Sequence, residues 1–337
     1  MMLKIILSLI LSSLVAAQAF DYSAFVTFHN SQGLSWTAKL HPSLDYTNQA
    51  SLHIRCGHKN RPSTYPNPNG SSPPPARLLT ASPPLSYSLT ASFPKCLSLG
   101  VIRDQGQCGS CWAFSTMTSL SDRYCISKST STVTAQRDFS MEDVLECCTI
   151  CGFSSKQGCN GGYMEGAFNW VQKTGVCTGD QPGSTSLCKN YFLSPSSNAK
   201  PAPACKKSCD ATSSVTSYAS NLYKTLGYKS LVGATISQTV INAQNAIMSR
   251  GSIVAAFDVY DDFFSYQKGV YVQTSGINEG GHAVRVVGWG VDSVSKLPYW
   301  IVANSWGTGW GIKGWFWMVR GTNNCNFEAE MIEGVMQ

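Results

Sequence analysis

Residues 105–114 read QGQCGSCWAF. This stretch contains two cysteines, Cys108 and Cys111, separated by a glycine and a serine. Three interpretations compete: a redox dithiol, half of a metal site, or a structural cysteine beside a nucleophile. A nucleophilic thiol needs a nearby base, whereas a zinc site needs further cysteine or histidine ligands. The rest of the chain therefore has to distinguish them.

Neither the redox nor the metal interpretation finds its partners. A thioredoxin-type pair follows a strand in a βαβ unit, but a glycine-rich polar loop precedes Cys108. A metal site needs a second ligand set, and adjacent cysteines chelate a tetrahedral ion poorly. The candidates for that set are Cys147, Cys148, Cys151 and Cys159. We therefore expect no metal and no other cofactor.

The histidines favour the nucleophile. His29, His41, His53 and His58 lie upstream of a proline-rich stretch, which leaves His282 as the only histidine of the large downstream region. An adjacent imidazole is the usual device that takes the proton of a thiol nucleophile. Ser110 is predicted to be a helix N-cap, so Cys111 lies in the first helical turn, where the helix dipole favours a thiolate. Cys111 is the predicted nucleophile and His282 its base.

Asn304 supplies a third polar group. It follows a predicted strand in YWIVANSWGTGW. We expect its side-chain amide to accept the imidazole Nδ1–H of His282 and to hold the ring in the useful tautomer.

The first nineteen residues predict a secretory signal peptide. They combine Lys4, an apolar run from Ile5 to Val15 and the small-residue cleavage pattern Ala17-Gln18-Ala19. The run is too short for a stable membrane span, although a short membrane anchor is the alternative. We expect a soluble secretory-pathway protein that ends outside the cell or in an acidic, lysosome-like or vacuole-like vesicle.

Cysteine and charge content support this compartment. Fourteen cysteines in a secreted chain indicate a disulfide framework. The net charge of +6 is scattered rather than collected into a stripe, so we expect neither nucleic acid nor a membrane among the partners.

Prolines mark a boundary along the chain. Eight of the fifteen lie between Pro62 and Pro84, in a segment whose composition favours extended, solvated backbone. A small segment, residues 20–60, precedes it. The region from Pro83 to Gln337 is long enough for one large domain or two lobes.

The downstream region changes from helical to strand patterns. Helical spacing of Ala113, Met117, Leu120 and Tyr124, a capping-box pattern at Ser140 to Asp143, and an apolar run that stops at Gly175 predict helices. The runs SIVAAFDVY, HAVRVVGW, YWIVAN and GWFWMVRG predict strands. This order predicts an α+β protein with a cleft between two lobes.

Together these motifs resemble the papain family of cysteine proteases. The string CGSCW is joined by Cys159-Asn160-Gly161-Gly162, Gly281-His282-Ala283 and Asn304-Ser305-Trp306. Longer strings, such as IRDQGQCGSCWAF, SDRYCI, DVYDDF and RGTNNCNFEAE, resemble the cathepsin B branch, and Trp36-Thr37-Ala38 and Arg55-Cys56-Gly57 resemble its short prosegment.

The resemblance implies an architecture. The implied architecture is a papain-like two-lobe α+β fold, with a helical left lobe, a β-barrel-like right lobe and the active site in the cleft between them. The domains implied are a signal peptide at 1–19, a prosegment at 20–82 with a proline-rich linker from about 60, and a peptidase domain at 83–337. We expect a monomer made as a zymogen.

The resemblance also implies catalytic roles. Cys111 attacks the scissile carbonyl and forms an acyl-enzyme, while His282 pairs with the thiolate and protonates the leaving amine. Asn304 orients His282, and Trp306 shields that contact from water. The side chain of Gln105 and the backbone N–H of Cys111 form the oxyanion hole.

Substrate-binding residues follow in the same way. Gly162, with Gly161 and Gly281 beside it, binds the substrate backbone like an added strand. Glu330 falls at the floor of the S2 pocket, where it would accept a basic P2 side chain; a solvated surface acid is the alternative. The residues implied for the S2 walls are Tyr163, Met164, Ala256 and Ala283.

Five disulfides are implied by the resemblance: Cys96–Cys125, Cys108–Cys159, Cys147–Cys205, Cys148–Cys151 and Cys188–Cys209. It leaves the state of Cys177 and Cys325 open.

One segment departs from the cathepsin B pattern. That branch carries an occluding loop whose two adjacent histidines bind the C-terminal carboxylate of a substrate. The segment CKNYFLSPSSNAKPAPAC, from Cys188 to Cys205, has no histidine and no internal cysteine. We therefore predict an endopeptidase with little dipeptidyl-carboxypeptidase activity. Lys189, Lys200 or Lys206 as a substitute for the histidines is the weaker alternative.

The expected partners are peptide and protein substrates, the chain's own prosegment as an intramolecular inhibitor, and cystatin-like inhibitors. Two rival hypotheses are a catalytically silent, protease-shaped binding protein and a thiol–disulfide oxidoreductase. A disulfide between Cys108 and Cys159 excludes the oxidoreductase, because it needs Cys108 reduced.

Overall fold

The computed structural model describes residues 20–59, 82–129, 136–152, 158–195, 197 and 201–336. The predicted signal peptide and the linker residues 60–81 lie outside these ranges. None of the helices in the described ranges is both long and apolar enough to cross a bilayer. The helices are α1 Tyr22–Ser31, α2 Gln49–His53, α3 Leu89–Ser92, α4 Cys111–Lys128, α5 Met141–Cys147, α6 Met164–Lys173, α7 Ile236–Arg250 and α8 Asp261–Phe264. The strands are β1 Trp36–Ala38, β2 Tyr87–Ser88, β3 Thr225–Ser230, β4 Ile253–Tyr260, β5 Tyr266–Tyr271, β6 Asn278–Val291, β7 Pro298–Ala303, β8 Trp315–Val319 and β9 Met331–Met336.

Helix α4 begins at Cys111, as predicted, but it is buried on more than one face. Ala113, Met117 and Leu120 are buried, and so are serines and threonines on the other sides. Most of their hydroxyl groups donate back to helix carbonyls, as Thr116 does to the carbonyl of Trp112 at 2.7 Å, whereas Ser119 donates to the carbonyl of Ser252. This local bonding satisfies hydroxyl groups that would otherwise be costly to bury. The helix can therefore lie between the other helices and the sheet.

Two helix termini follow local rules, and one does not. The Ser140 hydroxyl accepts from the Asp143 N–H at 2.9 Å and caps α5. Helix α6 ends just before Gly175, whose φ of +90° needs glycine. Ser110 occupies the N-cap position of α4, but its side chain makes no capping hydrogen bond. Its hydroxyl group instead contacts the phenol of Tyr191 at 2.8 Å.

The four predicted strand runs form β4, β6, β7 and β8 of one large sheet. Its strand order is β1-β5-β8-β7-β6-β4-β9-β3, with β2 paired to β6. The β5–β8 pair is parallel and its other named pairs are antiparallel.

Two hydrophobic clusters correspond to the two lobes. One surrounds α4, α5 and α6 and contains Trp112, Phe114 and Phe168. The other fills the sheet region and contains Phe263 and Trp306. Cys111 belongs to the first cluster, whereas His282 lies on β6 of the sheet. The boundary between the lobes therefore passes between the predicted nucleophile and its predicted base.

Buried ion pairs join α4 to the sheet. Arg285 on β6 contacts Asp122 on α4 at 2.8 Å, and Glu333 on β9 contacts Arg123 on α4 at 3.3 Å. All four side chains are buried. Removing one partner would leave a buried charge unpaired, so these pairs hold the two lobes in one relative position.

Residues 20–48, which we call the anchor, pack against the sheet. Strand β1 extends the sheet because it pairs antiparallel with β5. Trp36 is 2% exposed and its ring lies 5.1 Å from that of Tyr271. Its indole N–H donates to the carbonyl of Val272 at 2.9 Å. The upstream segment therefore shares a hydrophobic core with the large region rather than forming a core of its own.

Candidate active site

The start of α4 holds the thiol of Cys111 at the lobe boundary. Its Sγ accepts a hydrogen bond from the N–H of Ala283, on the facing strand β6, at 3.5 Å. Burial raises the pKa of the Cys111 thiol to about 11, although N–H groups of Ala283 and Gly57 partly counteract the rise. In this state the thiol is neutral at physiological pH.

His282 lies next to Ala283 and is also fully buried. Its Nε2–H donates to the Asn304 Oδ1 at 2.8 Å. The same Oδ1 accepts from the Ser305 N–H at 2.8 Å, which sets the orientation of the amide. The predicted partnership with Asn304 is therefore present, but the prediction that Nδ1 makes the bond was wrong. Which nitrogen faces Asn304 depends on the rotamer that packing between β6 and β7 permits.

This arrangement leaves Nδ1 as the ring nitrogen that does not bond Asn304. Burial lowers the pKa of His282 to about 4, against the opposing effect of Asn304. The thiol and the imidazole are therefore both neutral in this state, since desolvation disfavours both charged forms.

Trp306 covers the pair formed by His282 and Asn304. Its ring centroid lies 4.8 Å from that of His282, and the side chain is fully buried. The ring is held by Phe263 and Phe264 of the sheet cluster, at 5.6 and 5.3 Å. An apolar cover of this kind keeps water from competing for the hydrogen bond.

Gln105 is held at several points. Its backbone N–H donates to the carbonyl of Ser305 at 2.9 Å, and its Oε1 accepts from the Ser305 hydroxyl at 2.6 Å. Its Nε2 is thereby left to donate, and it bonds the carbonyls of Cys108 at 2.7 Å and Arg55 at 3.1 Å. The side-chain amide that the resemblance implies for the oxyanion hole thus already donates to a carbonyl of the upstream segment.

Residues 55–59, which we call the strap, lie across the cleft. The Gly162 N–H donates to the Gly57 carbonyl at 2.9 Å, and the Gly162 carbonyl accepts from Lys59 at 3.1 Å. On the other side the His58 N–H donates to the carbonyl of Gly281 at 2.9 Å. The glycines predicted to bind a substrate backbone therefore bind the strap.

Glycines allow the backbone of the strap to approach the backbone of the cleft closely. A Cβ at Gly57 would lie 2.0 Å from the carbonyl oxygen of Gly109, and one at Gly161 would lie 2.5 Å from that of Gly57. No side chain fits at these separations, so the strap can enter the cleft only as glycine facing glycine.

The side chain of His58 contacts Glu330, with Nε2 and Oε2 3.1 Å apart. The Glu330 carbonyl accepts from the N–H of Ala256 on β4, at 3.1 Å, and Ala256 is the register partner of Ala283 on β6. Met164, which begins α6, packs in one cluster with these two alanines, and Tyr163 lies buried directly before it. The sequence analysis did not predict His58 as a site residue, because the prosegment-like motif that it used, Arg55-Cys56-Gly57, ends one residue before His58.

The structure contains the five disulfides that the resemblance implies, namely Cys96–Cys125, Cys108–Cys159, Cys147–Cys205, Cys148–Cys151 and Cys188–Cys209. Because Cys108 is bonded to Cys159, it cannot form a redox pair with Cys111. The free cysteines are Cys56, Cys111, Cys177 and Cys325. Among the described residues, no group of three or more potential ligands could hold a metal ion.

Lys189 does not face the cleft as a free cation. It is 3% exposed, and its Nζ lies 3.0 Å from Asp143 and 3.2 Å from Glu146. These carboxylates neutralise its charge inside the helical lobe, so the idea that Lys189 replaces the occluding-loop histidines was wrong. Lys200 lies outside the described residues, and Lys206 is exposed.

Comparison with known proteins extends these observations. A family model described as papain family cysteine protease matches residues 88–335. The chain is 39% identical to cathepsin B-like cysteine proteinase 4 of Caenorhabditis elegans over 266 residues, which cover 75% of each chain. It is 38% identical to cathepsin B-like cysteine proteinase 5 of the same organism, with 75% of this chain and 74% of the relative covered.

A solved structure is similar over most of the length of the chain. Procathepsin B S9 from Trypanosoma congolense superposes with a TM-score of 0.77 at 29% sequence identity. The alignment covers 93% of this chain and 98% of that one. The α+β, two-lobe fold predicted from the sequence is confirmed.

Proposed function

The chain belongs to the papain family of cysteine proteases and is similar to cathepsin B-like members of that family, and on this basis we propose that it is an endopeptidase that uses Cys111 and His282. The observation that carries the proposal is the arrangement around Cys111. The thiol accepts from Ala283, next to His282, while the Gln105 amide donates to a peptide carbonyl, that of Arg55.

In the proposed reaction Nδ1 of His282 takes the proton of the Cys111 thiol. The thiolate forms a bond to the scissile carbonyl carbon, and the carbonyl π electrons move onto oxygen. That oxyanion is stabilised by the Gln105 Nε2–H and the Cys111 backbone N–H; losing one such donor costs about 2.7–4 kcal/mol. His282 then protonates the leaving amine, and water hydrolyses the thioester with His282 as base.

Asn304 and Trp306 support His282 in this reaction. The Asn304 Oδ1 accepts from Nε2–H in the neutral and in the protonated ring, so the bond holds the ring throughout the cycle. Trp306 covers the pair from solvent.

We infer that the strap makes the proform inactive. The Arg55 carbonyl uses the amide proposed for the oxyanion hole. The Gly57 N–H is a hydrogen-bond donor to the Cys111 sulfur, so the strap also contacts the proposed nucleophile. Burial by the strap also favours the neutral thiol and imidazole. When the strap is removed, water reaches the site. Hydration then stabilises the charged thiolate–imidazolium pair.

Glu330 is proposed to accept a basic P2 side chain. In the proform His58 supplies the basic group, 3.1 Å from the carboxylate. The alanines beside it leave room for a larger side chain, so we propose that the S2 pocket takes arginine as well as hydrophobic residues.

The primed side of the cleft is proposed to be open. The segment from Cys188 to Cys205 has no histidine, and Lys189 is neutralised by Asp143 and Glu146. A substrate's C-terminal carboxylate would meet no strong cation from this part of the segment. We therefore propose little dipeptidyl-carboxypeptidase activity.

Maturation and location complete the proposal. Residues 1–19 are removed as a signal peptide and residues 20–82 as a prosegment, and the peptidase then acts as a monomer outside the cell or in an acidic vesicle. Cystatin-like proteins, which would compete for the same cleft, are proposed as inhibitors besides the strap.

The test is cleavage of two peptides by the processed protein under reducing, mildly acidic conditions, with Cys111→Ala as control. One peptide has arginine at P2 and a blocked C-terminus, and the other can lose only a free C-terminal dipeptide. We expect Cys111-dependent cleavage of the first alone. Cleavage of the second would contradict the open primed side, and cleavage of neither would contradict the endopeptidase.

A further inference from the structure

The strongest unassigned feature near the site is Tyr191. It belongs to the segment from Cys188 to Cys205, and it is 2% exposed. Its hydroxyl oxygen contacts two atoms, the backbone carbonyl oxygen of Gln105 at 2.9 Å and the Ser110 Oγ at 2.8 Å. The reaction proposed above gives Tyr191 no role.

The hydrogen positions follow from chemistry. A carbonyl can only accept, so the phenol proton of Tyr191 goes to the carbonyl of Gln105. The Ser110 hydroxyl must then donate to the phenol oxygen. Burial raises the pKa of Tyr191 well above its ordinary value, so the phenol keeps its proton across the working pH range.

The two residues that Tyr191 contacts bracket the oxyanion hole. Gln105 carries one proposed donor on its side chain, and Ser110 directly precedes Cys111, whose N–H is the other. The loop between them turns at Gly106, where φ is +60°. A single phenol therefore links the two ends of the loop whose spacing sets the geometry of both donors.

The ring of Tyr191 is itself fixed. It packs edge-on against Phe114 of α4, with ring centroids 4.7 Å apart at 87°. The backbone N–H of Tyr191 donates to the carbonyl of Asp180 at 2.8 Å. The Cys188–Cys209 disulfide lies three residues before it. The hydroxyl group thus reaches the loop from a rigid support.

We propose that Tyr191 is a positioning residue for the oxyanion hole, holding Gln105 and Cys111 at the separation that the tetrahedral intermediate requires. The inference rests on the proposed function, because it presupposes that Gln105 and the Cys111 N–H stabilise the oxyanion. In this proposal the Cys188–Cys205 segment contributes to catalysis through the phenol of Tyr191. In the cathepsin B branch the corresponding segment contributes histidines that bind a carboxylate.

The test is Tyr191→Phe, which keeps the ring and removes only the hydroxyl group. We expect kcat of the processed enzyme to fall about tenfold with KM changed less than twofold, since a misplaced donor weakens the transition state more than substrate binding. Tyr266→Phe is the matched control. It is another fully buried tyrosine whose hydroxyl donates to a backbone carbonyl, that of Gly269, and its kcat should stay unchanged.

A peptide aldehyde separates positioning from general damage. The Cys111 sulfur adds to the aldehyde carbon, and the carbonyl oxygen becomes an oxyanion in the same hole. Its inhibition constant should rise by the same factor as kcat/KM falls in Tyr191→Phe. Alkylation of Cys111 by iodoacetamide forms no oxyanion, so its rate should match that of the wild type.

Ser110→Ala is the second variant, and it keeps the proposal testable if Tyr191→Phe does not fold. It should lower kcat by a smaller factor, and the double variant should be no worse than Tyr191→Phe, because the Ser110 hydroxyl acts through the phenol. The proposal is overturned if Tyr191→Phe keeps kcat within twofold, or if alkylation slows as much as catalysis. Unimpaired activity of Gln105→Ala would instead contradict the proposed function.

Discussion

The anchor and the strap bind the peptidase region with different chemistry. The anchor adds a strand to the sheet and buries Trp36 among aromatic rings. The strap makes backbone hydrogen bonds to Gly162 and Gly281 and places one titratable side chain, His58, on Glu330. Apolar burial gives affinity without regard to the reaction, whereas the strap contacts the atoms that the reaction uses. In the proposed zymogen, attachment of the upstream segment and inhibition of the site are therefore carried by different residues.

The largest expected effect concerns the thiol beneath the strap. Because burial raises the pKa of Cys111 to about 11 in the proform, its thiolate fraction at pH 7 is on the order of one in ten thousand. Alkylation by iodoacetamide should be at least a hundredfold slower in the proform than in the processed enzyme at pH 7. The rate of the proform should rise until about pH 11. Mass spectrometry of the Cys111 peptide separates it from the other free thiols, and equal rates at pH 7 would contradict the effect of the strap.

Trp36→Ala is the change expected to break the anchor. Removing a buried tryptophan costs about 3–5 kcal/mol, so the proform should become active towards a small peptide without being cut. Thr37→Ala is the matched control on the same strand. Thr37 is half-buried and its hydroxyl group donates to the side chain of Gln267. Loss of that hydroxyl group should change activity less than threefold. An inactive, uncut Trp36→Ala proform would show that the strap binds without the anchor.

Gly57→Ala breaks the strap and leaves the anchor in place. The new methyl group would lie 2.0 Å from the Gly109 carbonyl oxygen, so the strap has to leave the cleft. We expect peptide hydrolysis by the uncut proform at about a tenth of the processed rate, with the thermal unfolding midpoint nearly unchanged. Gly100→Ala is the control, because a methyl group there meets no atom within 4 Å. A silent Gly57→Ala proform would mean that the anchor alone blocks the site.

Glu330→Gln is expected to have the smallest effect, since its side chain is partly exposed. The contact joins a buried His58 to a partly exposed carboxylate, and we expect it to contribute about 1 kcal/mol, so release of the strap should be at most about fivefold faster. The same variant should lose the preference for arginine over leucine at P2, measured as the ratio of kcat/KM values. An unchanged ratio would contradict Glu330 as the floor of the S2 pocket.

Much of the active site could be predicted because its signals are local. Cys111 was predicted as the nucleophile from a helix start and a glycine-rich loop, and His282 as its base because it is the only downstream histidine. The partnership with Asn304 was also predicted, but with the wrong ring nitrogen, since a rotamer has no sequence signature. His58 was missed because nothing in its neighbours marks it as a cleft residue, and it meets Glu330 across 272 positions of the chain. The fate of Lys189 was equally hidden, since its carboxylate partners lie 46 and 43 positions away.

The sequence alone was enough to predict a candidate nucleophile and its base, the change from helices to strands and the family of the chain. Those features depend on spacing along the backbone, where periods of 3.6 and 2 residues and the glycine turns are directly visible. Only the tertiary structure decided that the Arg55 carbonyl meets Gln105, that Lys189 is neutralised and that Tyr191 joins Gln105 to Ser110. The physical reason is that these contacts depend on side-chain rotamers and on close packing between distant segments. A short stretch of sequence contains no record of either.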